Sequence, residues 1–136
     1  MNKNYKLAAL DIGTNSFHLI VVSVTPSGDF EIVDKAREVI RLTEGMADEI
    51  KLIQPESIER GVEVINRFKK IADSHGAEIY ATATSAVREA SNKDEFLKAV
   101  FEKTGVEIEV ISGVEEARLI YTGIQKVLPI KEKTVL

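Results

Sequence analysis

Apolar residues come in short runs separated by polar turns. Leu7 to Leu10 is one run and Phe17 to Val24 the next, with Asp11-Ile12-Gly13-Thr14-Asn15-Ser16 between them. This predicts a strand over 7–11, a tight turn, and a strand over 17–24 that returns antiparallel. Pro26-Ser27-Gly28-Asp29 marks another turn. Phe30 to Ile40 then reads as a third strand broken by the charged pair Asp34-Lys35, which completes a meander. Arg41 to Lys51 is a polar loop containing Gly45.

The period then changes. Ile58, Val62, Ile65, Phe68 and Ile71 recur at helical spacing, with Ala72 on the same side, Pro55 suited to the first turn and Gly76 to the stop. A helix over 55–74 follows, then a strand from Glu78 to Ala83 that a crossover helix would deliver parallel to its neighbour. Thr84 to Ala90 is a polar turn or short helix. Ser91 and Asp94 read as an N-cap pair for a helix through Phe96, Val100 and Phe101, ended by Gly105. Val106 to Ile111 alternates as a strand. Ser112 to Glu115 has capping-box spacing and opens a helix reaching Gly123 or beyond, closed by Pro129. A new strand begins at Thr134. The expected fold is α/β: a mixed sheet with an N-terminal antiparallel meander and covering helices.

In such sheets ligands gather at the carboxyl ends of the strands. Asp11, Thr84–Arg88 and Ser112–Glu116 all follow strand ends, so one sheet edge should collect them. In the first loop Gly13 permits a positive φ and leaves room for a ligand, while Thr14, Asn15 and Ser16 offer backbone and side-chain donors suited to phosphate oxygens. The Asp11 carboxylate could hold a hydrated divalent metal ion. Equally, the Asp, Asn and Ser could serve only their own turn. Arg88 could fork onto phosphate or pair with Glu89 at the surface. Glu115 has the capping job. Glu116 has none, and could accept a proton from an attacking water or merely stabilise the helix dipole. His18 reads as a packed, hydrogen-bonded strand residue, and His75 suits a helix end.

The composition narrows the classes. The chain has 136 residues, 44% apolar and 29% charged, which suits one globular domain with a real core. Its net charge of −4 argues against nucleic acid as a partner, so an anion site would be local. The absence of cysteine excludes disulfides and thiolate metal sites. There is no Walker A loop, histidine cluster or G-x-S-x-G elbow. The polar N-terminus fits no secretory signal and no run approaches membrane-spanning length, so a cytoplasmic protein without membrane contact is expected.

Asp11 to His18, Arg41-Leu42 with Glu44-Gly45, Ala83 to Ala90 and Ile111 to Ile120, taken together and in this order, resemble the exopolyphosphatase and guanosine pentaphosphate phosphohydrolase family. The resemblance implies a ribonuclease H-like domain of the actin, heat-shock chaperone and sugar-kinase superfamily, in which two such domains face a cleft. It implies Mg2+-assisted release of orthophosphate from polyphosphate or guanosine pentaphosphate. Asp11 to Ser16 match the first phosphate loop, Arg88 an arginine of the site, and Glu116 the catalytic glutamate. The family's second, Gly-rich loop follows the strand that begins here at Thr134 and is not in the chain. Residues 1–136 are therefore expected to be an N-terminal domain cut before that loop, with little activity alone and partnered by the remaining domains, as a homodimer when full length. A non-catalytic nucleotide-sensing or assembly domain of the actin type is the alternative. A sugar or acetate kinase is a third reading, which Glu115-Glu116-Ala117-Arg118 speaks against.

Overall fold

A computed structural model of the chain describes residues 4–46, 51–112 and 114–115. Five strands form one sheet: β1 (Tyr5–Ile12), β2 (Ser16–Val24), β3 (Phe30–Val39), β4 (Glu78–Ala83) and β5 (Ile108–Val110), in the order β3-β2-β1-β4-β5. β1, β2 and β3 are the antiparallel meander. β4 lies parallel to β1 and β5 parallel to β4. The helices are α1 (Pro55–Ser74), the single turn α2 (Ser85–Arg88) and α3 (Lys93–Thr104).

Alternation along β1 and β2 divides the sheet's two faces. Ala8, Leu10, Ile12, Phe17, Leu19 and Val21 are buried. Ala9, Asp11, His18 and Ile20 face the other way and are exposed. The buried face meets α1 through Val64, Ile65, Phe68 and Ala72, and α3 through Phe96 and Val100. Gly61 is the close contact: a Cβ there would stand 3.1 Å from Phe96 and 3.4 Å from Phe17. Its lack of a side chain lets α1 settle onto both rings.

Four expectations need correction. β3 is continuous across Asp34-Lys35. The irregularity is a bulge, since Val21 pairs with Asp34 and Val22 with Ile32, leaving Val33 unpaired. α3 starts at Lys93 with Asn92 at its N-cap, not Ser91. The Asn92 amide makes no cap bond because Ile53 has claimed it: Oδ1 accepts the Ile53 N–H at 2.9 Å and Nδ2 donates to the Ile53 carbonyl at 3.0 Å. Phe101 is 52% exposed rather than part of the α3 core face. β5 is shorter than the 106–111 run, although Val106 and Ile111 at its flanks are buried. The helix expected to run on from Ser112, Pro129 and the strand at Thr134 fall on residues outside those described, apart from the first turn. There the Glu115 N–H donates to Ser112 Oγ at 3.0 Å, half of the expected capping box. No helix among the described residues is long and apolar enough to cross a membrane.

Candidate functional site

Parallel pairing puts three strand ends side by side: Ile12 is level with Ala83, and Ala83 with Val110. The Ile111 N–H then donates to the Ala83 carbonyl at 2.9 Å, so the segments leaving β4 and β5 stay together. The edge expected to collect the three polar segments exists, and their described parts meet there.

The first loop is a closed hairpin turn in which the Gly13 N–H donates to the Ser16 carbonyl at 3.1 Å. Gly13 is not among the residues with positive φ, so its glycine is not explained by backbone angle. A Cβ there would lie 2.9 Å from the Ser16 carbonyl oxygen. The turn is braced from behind. The Asn15 carbonyl accepts the Ile40 and Arg41 N–H groups at 2.8 and 2.9 Å, and the Thr14 carbonyl accepts Leu42 N–H at 2.9 Å. Arg41 takes a left-handed φ of 55°, uncommon for a side-chain-bearing residue, where it brings two successive amides onto one oxygen. With their carbonyls so held, the Thr14 and Asn15 amides donate to no partner among the described residues. They are the free donors of the loop.

α2 brings the second segment up. Ser85 Oγ lies 3.2 Å from Thr14 Oγ1. Arg88 Nη1 donates to the Ile111 carbonyl at 2.9 Å, tying α2 to the end of β5, and Nη2 stands 3.8 Å from Glu89 Oε2. The surface pairing considered for Arg88 is thus present at long range, and its tighter bond is structural. Ser16 Oγ is hydrogen-bonded to His18 Nε2 at 3.0 Å, so that hydroxyl already has a partner. His18 is exposed rather than packed and faces Asp11 across the strand pair. Glu116 lies outside the described residues.

Desolvation by the surrounding chain raises the Asp11 carboxyl above its ordinary value, and His18 partly offsets this. A carboxylate with a raised folded pKa costs the fold stability once pH exceeds that value, and a bound cation would relieve the cost. No group of three metal-ligating side chains occurs among the described residues. A single carboxylate beside phosphate donors still fits Mg2+, which keeps most of its waters and needs one or two carboxylates plus substrate oxygens.

A cavity of about 370 Å3 opens beside the loop, lined by Thr14, Thr43, Met46, Lys51, Ser85, Ala86 and Glu89. Neither Lys51 nor Thr43 stands out in the sequence, because both sit in a polar loop whose position depends on tertiary contacts. A larger groove of about 650 Å3, between α1 and α3, lies on Ile58, Val62 and Ala99, away from the strand ends.

The comparisons agree with this geometry. The chain is 38% identical over 122 residues to exopolyphosphatase 1 of Mycobacterium leprae (strain TN), covering 89% of this chain and 36% of that protein. It superposes on the crystal structure of the Aquifex aeolicus Ppx/GppA family member with a TM-score of 0.86 at 29% identity, covering 93% of this chain and 41% of that one. The ethanolamine utilization protein EutJ of Carboxydothermus hydrogenoformans shares the fold alone, with a TM-score of 0.52 at 17% identity over 88% of this chain and 41% of that one. The fold is thus the expected α/β one, a mixed sheet with an antiparallel meander and covering helices. The model of the Ppx/GppA phosphatase family matches residues 20–136. With the first loop, α2 and the end of β5 assembled on one sheet edge, the chain belongs to the Ppx/GppA phosphatase family.

Proposed function

We propose that this chain forms the N-terminal half of the catalytic cleft of a cytoplasmic phosphohydrolase that releases orthophosphate from the end of polyphosphate or of guanosine pentaphosphate. The observation that carries the reading is the pair of free amides at Thr14 and Asn15, held at a sheet edge beside Ser85 and Arg88. Rigid donors of this kind stabilise charge that builds on phosphate oxygens without reorganising. Thr14 and Asn15 hold the terminal phosphate, Gly13 leaves the space for it, and Ser16 fixes the turn through His18. Arg88 adds positive charge at the α2 side. Asp11 would hold Mg2+, which when bound neutralises phosphate charge and orients the chain. The exopolyphosphatase activity named for the M. leprae relative supports the substrate class.

Glu116 takes the role of base toward the attacking water. In the protein that continues this chain as its relatives do, Glu116→Gln should lower kcat by at least ~100-fold with little change in substrate binding. Glu115→Gln should leave turnover nearly intact, since the Glu115 amide is engaged with Ser112 and glutamine suits a capping box. Phosphate release from polyphosphate and guanosine pentaphosphate, assayed separately, decides it. A dead Glu115→Gln with an active Glu116→Gln reverses the two roles, and two active variants remove the base from this segment.

A further inference from the structure

Lys51 has no part in that chemistry, yet it lines the same cavity as Thr14 and Ser85. Its position is built. The Lys51 carbonyl accepts the Ser91 N–H at 2.6 Å, and the Asn92 amide clamps both backbone groups of Ile53. The segment entering α1 is thereby fastened to the segment joining α2 to α3. The ammonium emerges 3.2 Å from Glu89 Oε1, while Glu89 Oε2 faces Arg88 Nη2 at 3.8 Å. One carboxylate stands between two cations in the lining of a pocket rich in hydroxyls.

The Lys51 and Glu89 side chains are 49% and 51% exposed, so the ion pair contributes little to stability. Its geometry suits an exchange instead. A carboxylate between an ammonium and a guanidinium presents what two phosphate oxygens would present. Lysine is a compact charge on a flexible stem and can change anions without losing a fixed bidentate fit. Arg88 cannot do so as freely, because Nη1 is bound to the Ile111 carbonyl.

We infer that Lys51 binds the phosphate next to the terminal one in a phosphoanhydride chain, and that Glu89 is the anion it leaves to do so. This rests on the phosphohydrolase reading and adds a substrate contact to it. Orthophosphate seated on the Thr14 and Asn15 amides has no second phosphate and leaves the Lys51–Glu89 pair closed. A chain supplies the second anion and opens it. The pair therefore favours substrate over the released product.

Calorimetry on the 136-residue chain, with tripolyphosphate and orthophosphate as the probes, tests this. Lys51→Met should weaken tripolyphosphate binding ~10-fold, the loss expected for one charge-assisted contact, and leave orthophosphate within about twofold. Lys51→Arg should restore most of the affinity. Glu89→Gln should tighten tripolyphosphate binding, the opposite sign from Lys51→Met, whereas a purely structural pair would give two variants that fail alike. The inference is overturned if wild-type protein does not bind tripolyphosphate, if Lys51→Met leaves its affinity unchanged or weakens both probes equally, or if Glu89→Gln weakens it. Lys51-dependent binding by this chain, with no phosphate release by a protein that continues it as in the relatives, would keep this inference and remove the hydrolase reading. Phosphate release with Lys51-independent binding would do the reverse.

Discussion

A Cβ on Gly13 would stand 2.9 Å from the Ser16 carbonyl oxygen, the atom that accepts the Gly13 N–H at 3.1 Å. The obstacle is backbone, so it cannot turn aside as the end of a side chain would. A larger residue must open the turn, and the turn is what aims the Thr14 and Asn15 amides. Gly13→Val should therefore cost ~1–3 kcal/mol, the range for forcing bulk into a packed position. It should also abolish orthophosphate binding in the protein that still folds. Calorimetry with inorganic phosphate checks the second effect and thermal unfolding the first. A folded Gly13→Val chain with wild-type phosphate affinity would count against the loop as a phosphate site. The positive φ expected of this glycine is absent; the need for a glycine was legible in the sequence, but its physical reason was not.

At the scale of elements, the edge strand β3 is tied to α1 by the Arg67–Glu38 ion pair at 3.1 Å and, at the helix's far end, by His75. His75, the C-cap of α1, lies 2.8 Å from Asp34 through Nε2, beside the bulge at Val33. The His75 hydrogen bond, helped by the Lys35 amide, holds the Asp34 carboxyl below its ordinary value of 3.8. A depressed folded pKa means stability that is present above the ordinary value and lost as pH falls through the lowered one. The wild-type melting temperature should thus fall more steeply as pH drops below 3.8 than that of Asp34→Asn, which has no carboxylate to protonate there. Parallel curves would remove the contact from the acid response. α1 was legible to its last residue, because a long amphipathic period between Pro55 and Gly76 leaves little choice. The start of α3 was not: Asn92 serves Ile53, and a residue engaged across 39 positions looks like an ordinary polar neighbour in the sequence. Lys51 escaped notice for the same reason, since that clamp is what carries it to the cavity beside Thr14. The loop and α2 were legible because small polar residues after a strand end have a local meaning.

At the scale of the whole molecule, the described residues gather their polar groups on one sheet edge. Three strand ends, two free amides and the cations Arg88 and Lys51 line one edge, with Glu89 cancelling part of that charge. The chain spans 36% of the length of the M. leprae exopolyphosphatase and 41% of the A. aeolicus chain. A terminal phosphoanhydride carries several negative charges, and its cleavage requires them to be met from more than one side and with water excluded. Among the described residues no group of three metal-ligating side chains occurs, and the free donors stand on one side only. We therefore expect the 136-residue chain to fold and bind a phosphate chain while turning it over at least ~100-fold more slowly than a protein that continues it as in the relatives, the loss typical of removing a preorganised donor. The measurement is phosphate release per mole of protein with Mg2+ present, the chain alone against the longer protein, with tripolyphosphate affinity determined for both. Comparable turnover would mean that residues 1–136 hold a complete active site. Matching affinities with a large gap in turnover would place substrate capture in this half and the remaining charge neutralisation in the other.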